Sequence, residues 1–356
     1  MKLIHCADIH LDSPLSNFPS ESAKMRKAEI LSTFCRMVDF ALENGVDAIL
    51  IAGDLFDSAK QIRKGTKALV REMIAKYPAL QFYYLSGNHD GGTSLYDDET
   101  PAPDNFHTFG NRWTTYRMGD VTITASERPD PNILSLDPAD INLVMLHGQV
   151  VETESAAGKD EIPLRAYAKK NIDYLALGHV HSRSRDKVDD RCLACYCGCL
   201  EGRGFDECGE KGFLLLETTP DRRIESQFVP FARRTLHDVK LDVSDCTTQV
   251  ELERRAEEAL ANIPSDDLVK LTVVGSLDPD FSPEYHWIEE KLNERFFFAK
   301  RKDETAPLIR PEDSQNDISL KGEFIRRVRA SDLPQADKDR VILNGLRALY
   351  GGEIDL

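Results

Sequence analysis

The chain has 356 residues, of which 41% are hydrophobic and 30% are charged, a composition typical of a globular protein with about two domains. No apolar run approaches the ~18 residues that a membrane helix needs, and the run at residues 3–7 is too short for a signal peptide, so we expect a cytoplasmic chain with no membrane partner. The formal charge of −16 disfavours nucleic-acid binding, unless bound metal ions or a partner supply positive charge.

Strands and helices alternate in the elements predicted for the first 86 residues. Short apolar runs predict the strands, and apolar residues at a period of about 3.6 predict the helices. Strands are expected at residues 3–7, 46–52 and 81–86, and helices at residues 21–44 and 62–77. Gly45 and Pro78 end the two helices. This alternation predicts a sheet with helices on its faces, whose ligands gather beyond the carboxyl ends of its strands.

A second sheet and a second domain are predicted from the rest of the chain. Strands dominate from residue 121, with several between residues 183 and 229 and the clearest at 121–125, 142–146 and 173–177. Three later strands, at residues 236–243, 268–274 and 296–302, and two helices, at residues 249–262 and 283–294, indicate a small α/β domain. We therefore predict a core at residues 1–234, an α/β domain at 235–306, and a C-terminal part at 307–356. That last part consists of a polar linker and a helix pair, at residues 307–316, 320–329 and 338–349.

Five short polar motifs each follow a predicted strand, so their side chains can meet at one edge of the core. In chain order they are Asp8-Ile9-His10, Gly53-Asp54, Gly87-Asn88-His89-Asp90, His147-Gly148 and Gly178-His179-Val180-His181. One such motif alone indicates a turn or a cap. Together they contain five of the nine histidines, and imidazole with carboxylate suits manganese, iron or zinc rather than magnesium or calcium. The set therefore predicts a metal site.

The same motifs resemble, in order, those of the calcineurin-like metallophosphoesterases. Residues 4–14 and 53–57 more closely resemble the SbcD-type DNA repair nucleases, particularly their YhaO-like bacterial branch, and residues 201–207 and 209–212 strengthen that narrower similarity. The resemblance implies an α/β (α+β) fold, with a four-layer αββα metallophosphoesterase sandwich and a smaller C-terminal α/β capping domain. It also implies phosphodiester hydrolysis with two divalent metal ions, with manganese as first choice and iron or zinc as alternatives.

The resemblance also implies a role for each motif residue. One ion would be held by Asp8, His10, Asp54 and His181, and the other by Asp54, Asn88, His147 and His179. Asp54 would bridge the ions, with one carboxylate oxygen facing each. His89 would stabilise negative charge or protonate the leaving oxygen, and Asp90 would orient the His89 ring. Relatives from archaea and eukaryotes carry histidine at the position of Asp57, which leaves the balance of exonuclease and endonuclease activity open.

Basic residues and the C-terminal helix pair are the candidate contacts with partners. Arg183 and Arg185 follow the last histidine motif and Arg203 lies between two glycines, so these three are candidates for contacting DNA. The helix pair would either pack on the core or dock on a partner. By resemblance, that partner would be an SbcC-like coiled-coil ATPase, which would also help to hold the DNA. A homodimer is left open.

Three functions are compatible with these features. The leading interpretation is a metal-dependent DNA nuclease of the repair exonuclease type. A phosphatase or phosphodiesterase that acts on nucleotides or other small phosphoesters would use the same metals. A metal-stabilised scaffold without activity would only recruit a partner ATPase, but such a scaffold would not need His89 beside the metals.

A cluster of cysteines has two interpretations. Five of the eight cysteines lie close together in the sequence, at Cys192, Cys195, Cys197, Cys199 and Cys208. They either bind zinc or an iron–sulfur cluster, or serve as small hydrophobic residues in a reduced interior. The geometry of ligands from one flat strand favours the second interpretation.

Overall fold

The computed structural model describes residues 1–60, 62–91, 94–151, 160–219, 221, 223–277, 281, 283–308 and 318–349. The chain divides into two compact units, Met1–Leu236 and His237–Leu356. Among the residues in these ranges, none of the helices combines the length and the apolar character needed to cross a membrane.

Fourteen strands and two α-helices are described in the larger unit. In chain order they are β1 (Lys2–Cys6), α1 (Ser20–Glu43), β2 (Ala48–Ala52), α2 (Lys64–Lys76), β3 (Gln81–Leu85), β4 (Phe106–Thr108), β5 (Thr114–Met118), β6 (Val121–Ala125), β7 (Ile141–His147), β8 (Gln149–Val151), β9 (Glu161–Pro163), β10 (Tyr174–Gly178), β11 (Ser184–Lys187), β12 (Leu193–Tyr196), β13 (Gly212–Thr218) and β14 (Ile224–Pro230). The buried strands are short apolar runs, as the sequence predicts.

Most of these strands belong to two six-stranded sheets. The first has the order β14-β13-β1-β2-β3-β4, in which β1 to β4 are parallel and β13 and β14 are antiparallel additions. The second has the order β11-β12-β10-β7-β6-β5, with a parallel centre and antiparallel edge strands. The parallel strands of each sheet therefore all end at one edge of that sheet.

The two sheets enclose the main hydrophobic core of this unit. Leu50 of β2 and Leu143 of β7 are both fully buried in it. On the outer side of the first sheet, Phe40 of α1 contacts Phe213 of β13, with ring centroids 5.3 Å apart. The outer side of the second sheet packs against a separate cluster that includes Tyr167, in the short 3-10 helix Leu164–Tyr167. These layers confirm the predicted α/β sandwich.

The ends of the elements differ from the prediction by a few residues. The helix expected at residues 62–77 is α2 at Lys64–Lys76, and the strand expected at 46–52 is β2 at Ala48–Ala52. Strands β4, β5, β8 and β9 have no counterpart in the sequence prediction. Three of them have only three residues, which is too short for a periodic pattern to appear, and the five-residue β5 contains no buried residue.

The smaller unit is a second α/β arrangement. Its elements are β15 (Leu236–Asp242, beginning at the boundary residue), α3 (Gln249–Leu260), β16 (Leu268–Leu277), α4 (His286–Arg295), β17 (Phe298–Pro307), α5 (Leu320–Arg329) and α6 (Gln335–Leu349). The three strands form a sheet of order β15-β16-β17, and a small apolar cluster that includes Ile325 and Leu346 joins α5 to α6. Residues 309–316 of the predicted linker lie outside the described residues.

A buried ion pair holds the loop after β12 against α1. Arg26 and Glu201 are 0% and 1% exposed, and Nη2 of Arg26 donates a hydrogen bond to Oε2 of Glu201 at 2.8 Å. The same Nη2 donates to the carbonyl oxygen of Gly202 at 2.9 Å. The hydroxyl of Thr33 donates to Oε1 of Glu201 at 2.7 Å. Removing Glu201 would leave the buried Arg26 with one carboxylate partner, Glu29, which lies 2.6 Å from Nη1.

Glu201→Ala is expected to lower the free energy of unfolding of the larger unit by about 1–3 kcal/mol, because it leaves buried hydrogen-bond donors of Arg26 and Thr33 unpaired while Glu29 still balances the charge of Arg26. Urea denaturation followed by circular dichroism measures this loss. Asp190→Ala is the matched control, since Asp190 is fully exposed and pairs with Lys187 at the surface. We expect no measurable change in that control. Equal losses in the two variants would contradict a special role for the buried pair.

Candidate metal centre

The residues of the five motifs lie together at the carboxyl edge of the two sheets. In the order of the strands that carry them, β1, β2, β3, β7 and β10, they are Asp8 with His10, Asp54, Asn88 with His89 and Asp90, His147, and His179 with His181. The first three strands are neighbours in one sheet, and the last two are neighbours in the other. The side chains therefore converge from both sheets.

Left-handed backbone conformations occur at four of these residues. The φ angle is 51° at Asp8, 48° at His10, 51° at Asp54 and 101° at His179. Such values are uncommon outside glycine and cost free energy. Two of the loops support each other, because the backbone N–H of Asp8 donates to the carbonyl of Gly53 at 3.1 Å and that of His10 to the carbonyl of Asp54 at 3.0 Å. Pairing between loops thus stabilises a conformation that directs the side chains inward.

Asp8, His10 and His181 form the first group of metal-ligand atoms, all within 4.8 Å of one another. The Nε2 atoms of His10 and His181 are 3.2 Å apart. The Nδ1 atom of His181 lies 2.7 Å from Oε1 of Glu207 and donates to it, because an ionised carboxylate only accepts. The Nε2 atom of a neutral His181 ring therefore carries a lone pair. A cation between the two rings fits this arrangement.

Asp54 and His147, together with Asp8, form the second group. The Nδ1 atom of His147 donates to a backbone carbonyl of β2 at 2.9 Å, so its Nε2 carries the lone pair when the ring is neutral. This Nε2 lies 2.9 Å from Oδ1 of Asn88 and 3.3 Å from Oδ2 of Asp54. His179 adds Nδ1, at 3.2 Å from Oδ1 of Asn88. Acceptor atoms this close together need a proton or a cation among them, and the donor set fits a divalent metal ion.

Asp54 lies between the two groups. Its Oδ2 atom is 3.8 Å from Nε2 of His10 and 3.3 Å from Nε2 of His147. Its Oδ1 atom accepts the backbone N–H of His89 at 2.9 Å. Oδ2 thus lies beside both groups, and the expectation that each oxygen faces a different ion stays a prediction.

The pKa values of the cluster reflect burial and mutual charge. Burial raises the pKa of Asp8 to about 6. Burial opposes protonation of His147, but the hydrogen bond and charge of Asp54 raise its pKa to about 9. Burial and the charge of Arg203 lower the pKa of His10 to about 2. Near neutral pH the His10 ring is thus neutral. The His147 ring of the metal-free chain is protonated, and its added proton takes the place of a metal ion.

His89 is exposed beside these two groups, with its ring centroid 4.9 Å from that of His10, and it forms a third group of possible ligand atoms with His10 and Asp57. Its Nδ1 atom donates to the carbonyl oxygen of Asp57 at 2.7 Å. The other ring nitrogen, Nε2, is therefore the atom that can gain or lose a proton. This arrangement suits a group that transfers a proton to or from a substrate.

Asp90 contacts backbone atoms rather than the His89 ring. Its carboxylate accepts the N–H of Leu55 at 2.8 Å and that of Phe56 at 2.7 Å. Both donors belong to the loop that begins with Asp54. Among the described residues, the partner of the His89 ring is Asp57, so the expected contact between Asp90 and that ring is corrected. A buried carboxylate needs hydrogen-bond donors, and this loop supplies them.

Two of the three candidate DNA-contacting arginines are exposed. The guanidinium of Arg183 lies over an aromatic ring of β14, 4.2 Å from its centroid, and Arg185 lies on the edge strand β11. The side chain of Arg203 is only 16% exposed. Its Nη1 lies 2.8 Å from Asp57, and its Nη2 lies 2.9 Å from Glu207. Arg203 is therefore engaged with protein carboxylates.

Glu207 has no role in the sequence prediction, although it is the partner of the His181 ring. Its one sequence signal is its place in the run 201–207, which resembles the nuclease branch. The cysteine cluster supplies no candidate metal ligand among the described residues, although Sγ of Cys199 donates to Oε2 of Glu207 at 3.7 Å. Cys195 and Cys197 are buried in the core between the sheets.

Gly87 lies so close to Asp54 that a Cβ atom there would be 2.1 Å from Oδ1 of Asp54. Gly87→Ala is therefore expected to displace this carboxylate and to weaken divalent-metal binding by at least ~10-fold in an otherwise folded chain. Calorimetric titration with Mn²⁺ measures the affinity. In the control Gly91→Ala, the nearest atom to the new Cβ is 3.8 Å away. Unchanged affinity in Gly87→Ala would show that the contact has no consequence.

Two groups of metal-ligand atoms that both contain Asp8 and both lie beside Oδ2 of Asp54, at the carboxyl edge of an α/β sandwich, define the class of hydrolases with a dinuclear metal site. The chain belongs to the calcineurin-like phosphoesterase family, whose model matches residues 1–183. Members of this family use a dinuclear divalent metal site and hydrolyse phosphoester bonds. The chain is accordingly a metallophosphoesterase.

Curated relatives extend this similarity beyond the family model. The uncharacterized metallophosphoesterase YhaO of Bacillus subtilis is 25% identical over 285 residues, which cover 74% of this chain and 68% of that protein. The DNA double-strand break repair protein Mre11 of Methanopyrus kandleri is 26% identical over 396 residues, which cover 99% of this chain and 82% of that protein. The SbcD component of the Escherichia coli nuclease SbcCD is 22% identical over 413 residues, with 96% coverage of each.

Proposed function

We propose that this chain is a two-metal DNA nuclease that hydrolyses the phosphodiester backbone. The observation that carries the proposal is the pair of ligand groups that meet at Oδ2 of Asp54. One ion would be held by Asp8, His10, Asp54 and His181, and the other by Asp54, Asn88, His147 and His179. We propose manganese for both ions, with iron or zinc as alternatives, because mixed imidazole and carboxylate ligands suit these metals.

Each residue of the site has a part in the proposed hydrolysis. When bound, the two ions supply Lewis acidity and an activated water for attack on phosphorus. His89, held through Nδ1 by the carbonyl of Asp57 at 2.7 Å, protonates the leaving oxygen through Nε2. Asp90 fixes the loop of Asp54 by accepting two of its backbone N–H groups. The ligands are thus in position before a substrate arrives.

Exposure at the site supports a polymeric substrate. Asn88 and His89 are exposed, so a large phosphodiester can reach them. Arg183 and Arg185 are exposed after the last histidine motif, where they would contact backbone phosphates. The relative from Methanopyrus kandleri is named as a DNA double-strand break repair protein, and the relative from Escherichia coli is named as a subunit of a nuclease. These features favour DNA over small phosphoesters as the substrate.

A partner is part of the proposal, because a net charge of −16 opposes DNA binding by this chain alone. The Escherichia coli relative is named as one component of SbcCD, and we propose an SbcC-like coiled-coil ATPase as the partner. The helices α5 and α6 and the loop between them offer apolar surface for docking, since Leu320 of α5, Leu333 of the loop and Leu349 of α6 are 72%, 44% and 47% exposed. The proposed activity is cytoplasmic.

Titration of manganese into the pure chain, with a linear duplex and a chromogenic phosphodiester as substrates, tests this function. We expect cleavage of both, and faster duplex cleavage with the partner ATPase. Hydrolysis of the chromogenic diester without duplex cleavage, even with the ATPase present, would favour a small-phosphoester enzyme. Turnover of neither substrate would contradict metal-dependent catalysis.

Metal binding is expected to release about one proton per chain near pH 7.5, because a bound cation requires neutral His147. Burial disfavours the charged ring, but Asp54 raises the pKa of His147 to about 9, so the metal-free ring is protonated below that pH. Metal affinity should therefore rise as the pH approaches 9 and fall as the pH decreases. Calorimetry in two buffers of different ionisation enthalpy measures the release. The His147→Gln variant should bind metal without this proton release. Identical binding heats for the wild type in both buffers would contradict the predicted release.

A further inference from the structure

We infer that Arg203 is a positioning residue that orients two histidines of the first ligand group through Asp57 and Glu207. The inference rests on the proposed function, because it concerns how the proposed ligands of one metal ion are held. It assigns to Arg203 a role within the protein, in place of a contact with DNA.

One guanidinium pairs with two carboxylates. Nη1 of Arg203 donates to Oδ1 of Asp57 at 2.8 Å, and Nη2 donates to Oε1 of Glu207 at 2.9 Å. The backbone N–H of Arg203 donates to the second oxygen of Glu207 at 2.7 Å. The three side chains are 16%, 17% and 6% exposed. Charge-assisted hydrogen bonds shielded from water in this way define the geometry of the cluster closely.

Each carboxylate faces the outer nitrogen of a histidine. Oε1 of Glu207 lies 2.7 Å from Nδ1 of His181, and Oδ1 of Asp57 lies 3.5 Å from Nδ1 of His10. The inner nitrogens of the two histidines face each other, with the Nε2 atoms 3.2 Å apart. The hydrogen bond from Nδ1 of His181 to Glu207 keeps the proton on Nδ1 and leaves Nε2 for a metal ion. Nδ1 of His10 makes no hydrogen bond, so Asp57 acts on that ring through its nearby charge. Arg203 therefore acts on two ligands of the same ion, on His181 through a hydrogen-bonded carboxylate and on His10 through a charge contact.

The guanidinium is turned toward the protein rather than toward a phosphate. Each η nitrogen of Arg203 donates to a carboxylate, Nη2 also lies 3.1 Å from Nδ1 of His181, and Nε is buried. With the side chain only 16% exposed, little of it is accessible to DNA. Lysine cannot replace this arrangement, because an ammonium group lacks the fork geometry that spans two carboxylates.

The second ligand group does not depend on Arg203. The ring of His147 is oriented by the carbonyl oxygen of Ala52, which Nδ1 contacts at 2.9 Å. A loss of Arg203 should therefore affect one metal ion and spare the other. This asymmetry separates positioning of ligands from a general contribution to stability.

Calorimetric titration of Mn²⁺ into the metal-free full chain tests the inference. The wild type should bind two ions. Arg203→Gln should weaken one of them by about 10–100-fold and leave the other unchanged, and Arg203→Lys should not restore the weakened ion. Asp57→Asn and Glu207→Gln should weaken the same ion. These two variants decide the matter if Arg203→Gln fails to fold, as judged by circular dichroism.

Arg191→Gln is the matched control. Arg191 pairs with Asp173 through hydrogen bonds of 2.9 and 2.8 Å just before β12, at the strand end opposite to the metal centre. This variant should bind both ions as the wild type does. Unchanged binding of both ions by Arg203→Gln, or equal weakening of both, would overturn the inference and leave the proposed function intact. Failure of the wild type to bind a second ion would instead overturn the proposed function.

Discussion

Asp54→Asn is expected to lower kcat for a chromogenic phosphodiester by more than ~100-fold and to leave fewer than two metal ions per chain. Oδ1 of Asp54 accepts the backbone N–H of His89 at 2.9 Å. The asparagine oxygen would take this place and turn the NH₂ group toward both ligand groups, where Oδ2 now lies 3.8 Å from His10 and 3.3 Å from His147. An amide nitrogen repels cations, so both sites lose a ligand in a variant of nearly unchanged shape.

The matched control is Asp12→Asn. Asp12 is close to the first motif in sequence, but its carboxylate accepts hydrogen bonds from Arg63 at 2.8 and 2.6 Å and from Thr66 at 2.9 Å, at the start of α2. This control should bind two ions and keep kcat near the wild-type value. If Asp54→Asn binds two ions and turns over within about 10-fold of the wild type, Asp54 is not the shared ligand.

His89→Asn is expected to lower kcat on duplex DNA by about 10²–10⁴-fold while both metal ions stay bound. The ring of His89 contacts the carbonyl of Asp57 and is not one of the proposed ligands, so its loss should not release a metal. The alkoxide that leaves DNA needs a proton, whereas p-nitrophenolate does not. The loss should therefore be much smaller for a p-nitrophenyl diester. Steady-state kinetics on both substrates, with metal analysis of the purified variant, measures the difference.

His286→Asn serves as the control for this substitution. The side chain of His286 is 82% exposed in the smaller unit and pairs with Glu290 at 3.1 Å. We expect wild-type rates from it on both substrates. Equal losses on DNA and on the p-nitrophenyl diester in His89→Asn would argue against proton donation. Loss of a metal ion would instead assign His89 as a ligand.

Much of the sandwich and the convergence of the motifs follow from local sequence. A fully apolar strand such as β2 is buried on both faces, and Asp54 comes directly after it. Parallel strands end at the same edge of their sheet, so polar residues that follow them, such as Asp8 and Asn88, come together. Which of these side chains binds which ion stays a prediction that the proposed experiments test.

The orientation of the side chains could not be predicted from the same patterns. Glu207 reaches His181 across 26 residues, and Asp90 reaches the backbone of Leu55 across 35. Periodicity describes neighbours along one element and carries no information on such contacts between loops. The left-handed backbone conformation of Asp54 cannot be predicted from the sequence pattern either, because hydrogen bonds from other loops maintain it.

Anomalous diffraction at the manganese edge, from crystals saturated with Mn²⁺, tests whether these side chains hold two ions. We expect two peaks about 3.5–4 Å apart, both in contact with Oδ2 of Asp54. One peak should lie against His10 and His181, and the other against His147 and His179. A single peak at saturating manganese, or two peaks of which one does not touch Asp54, would contradict a shared dinuclear site.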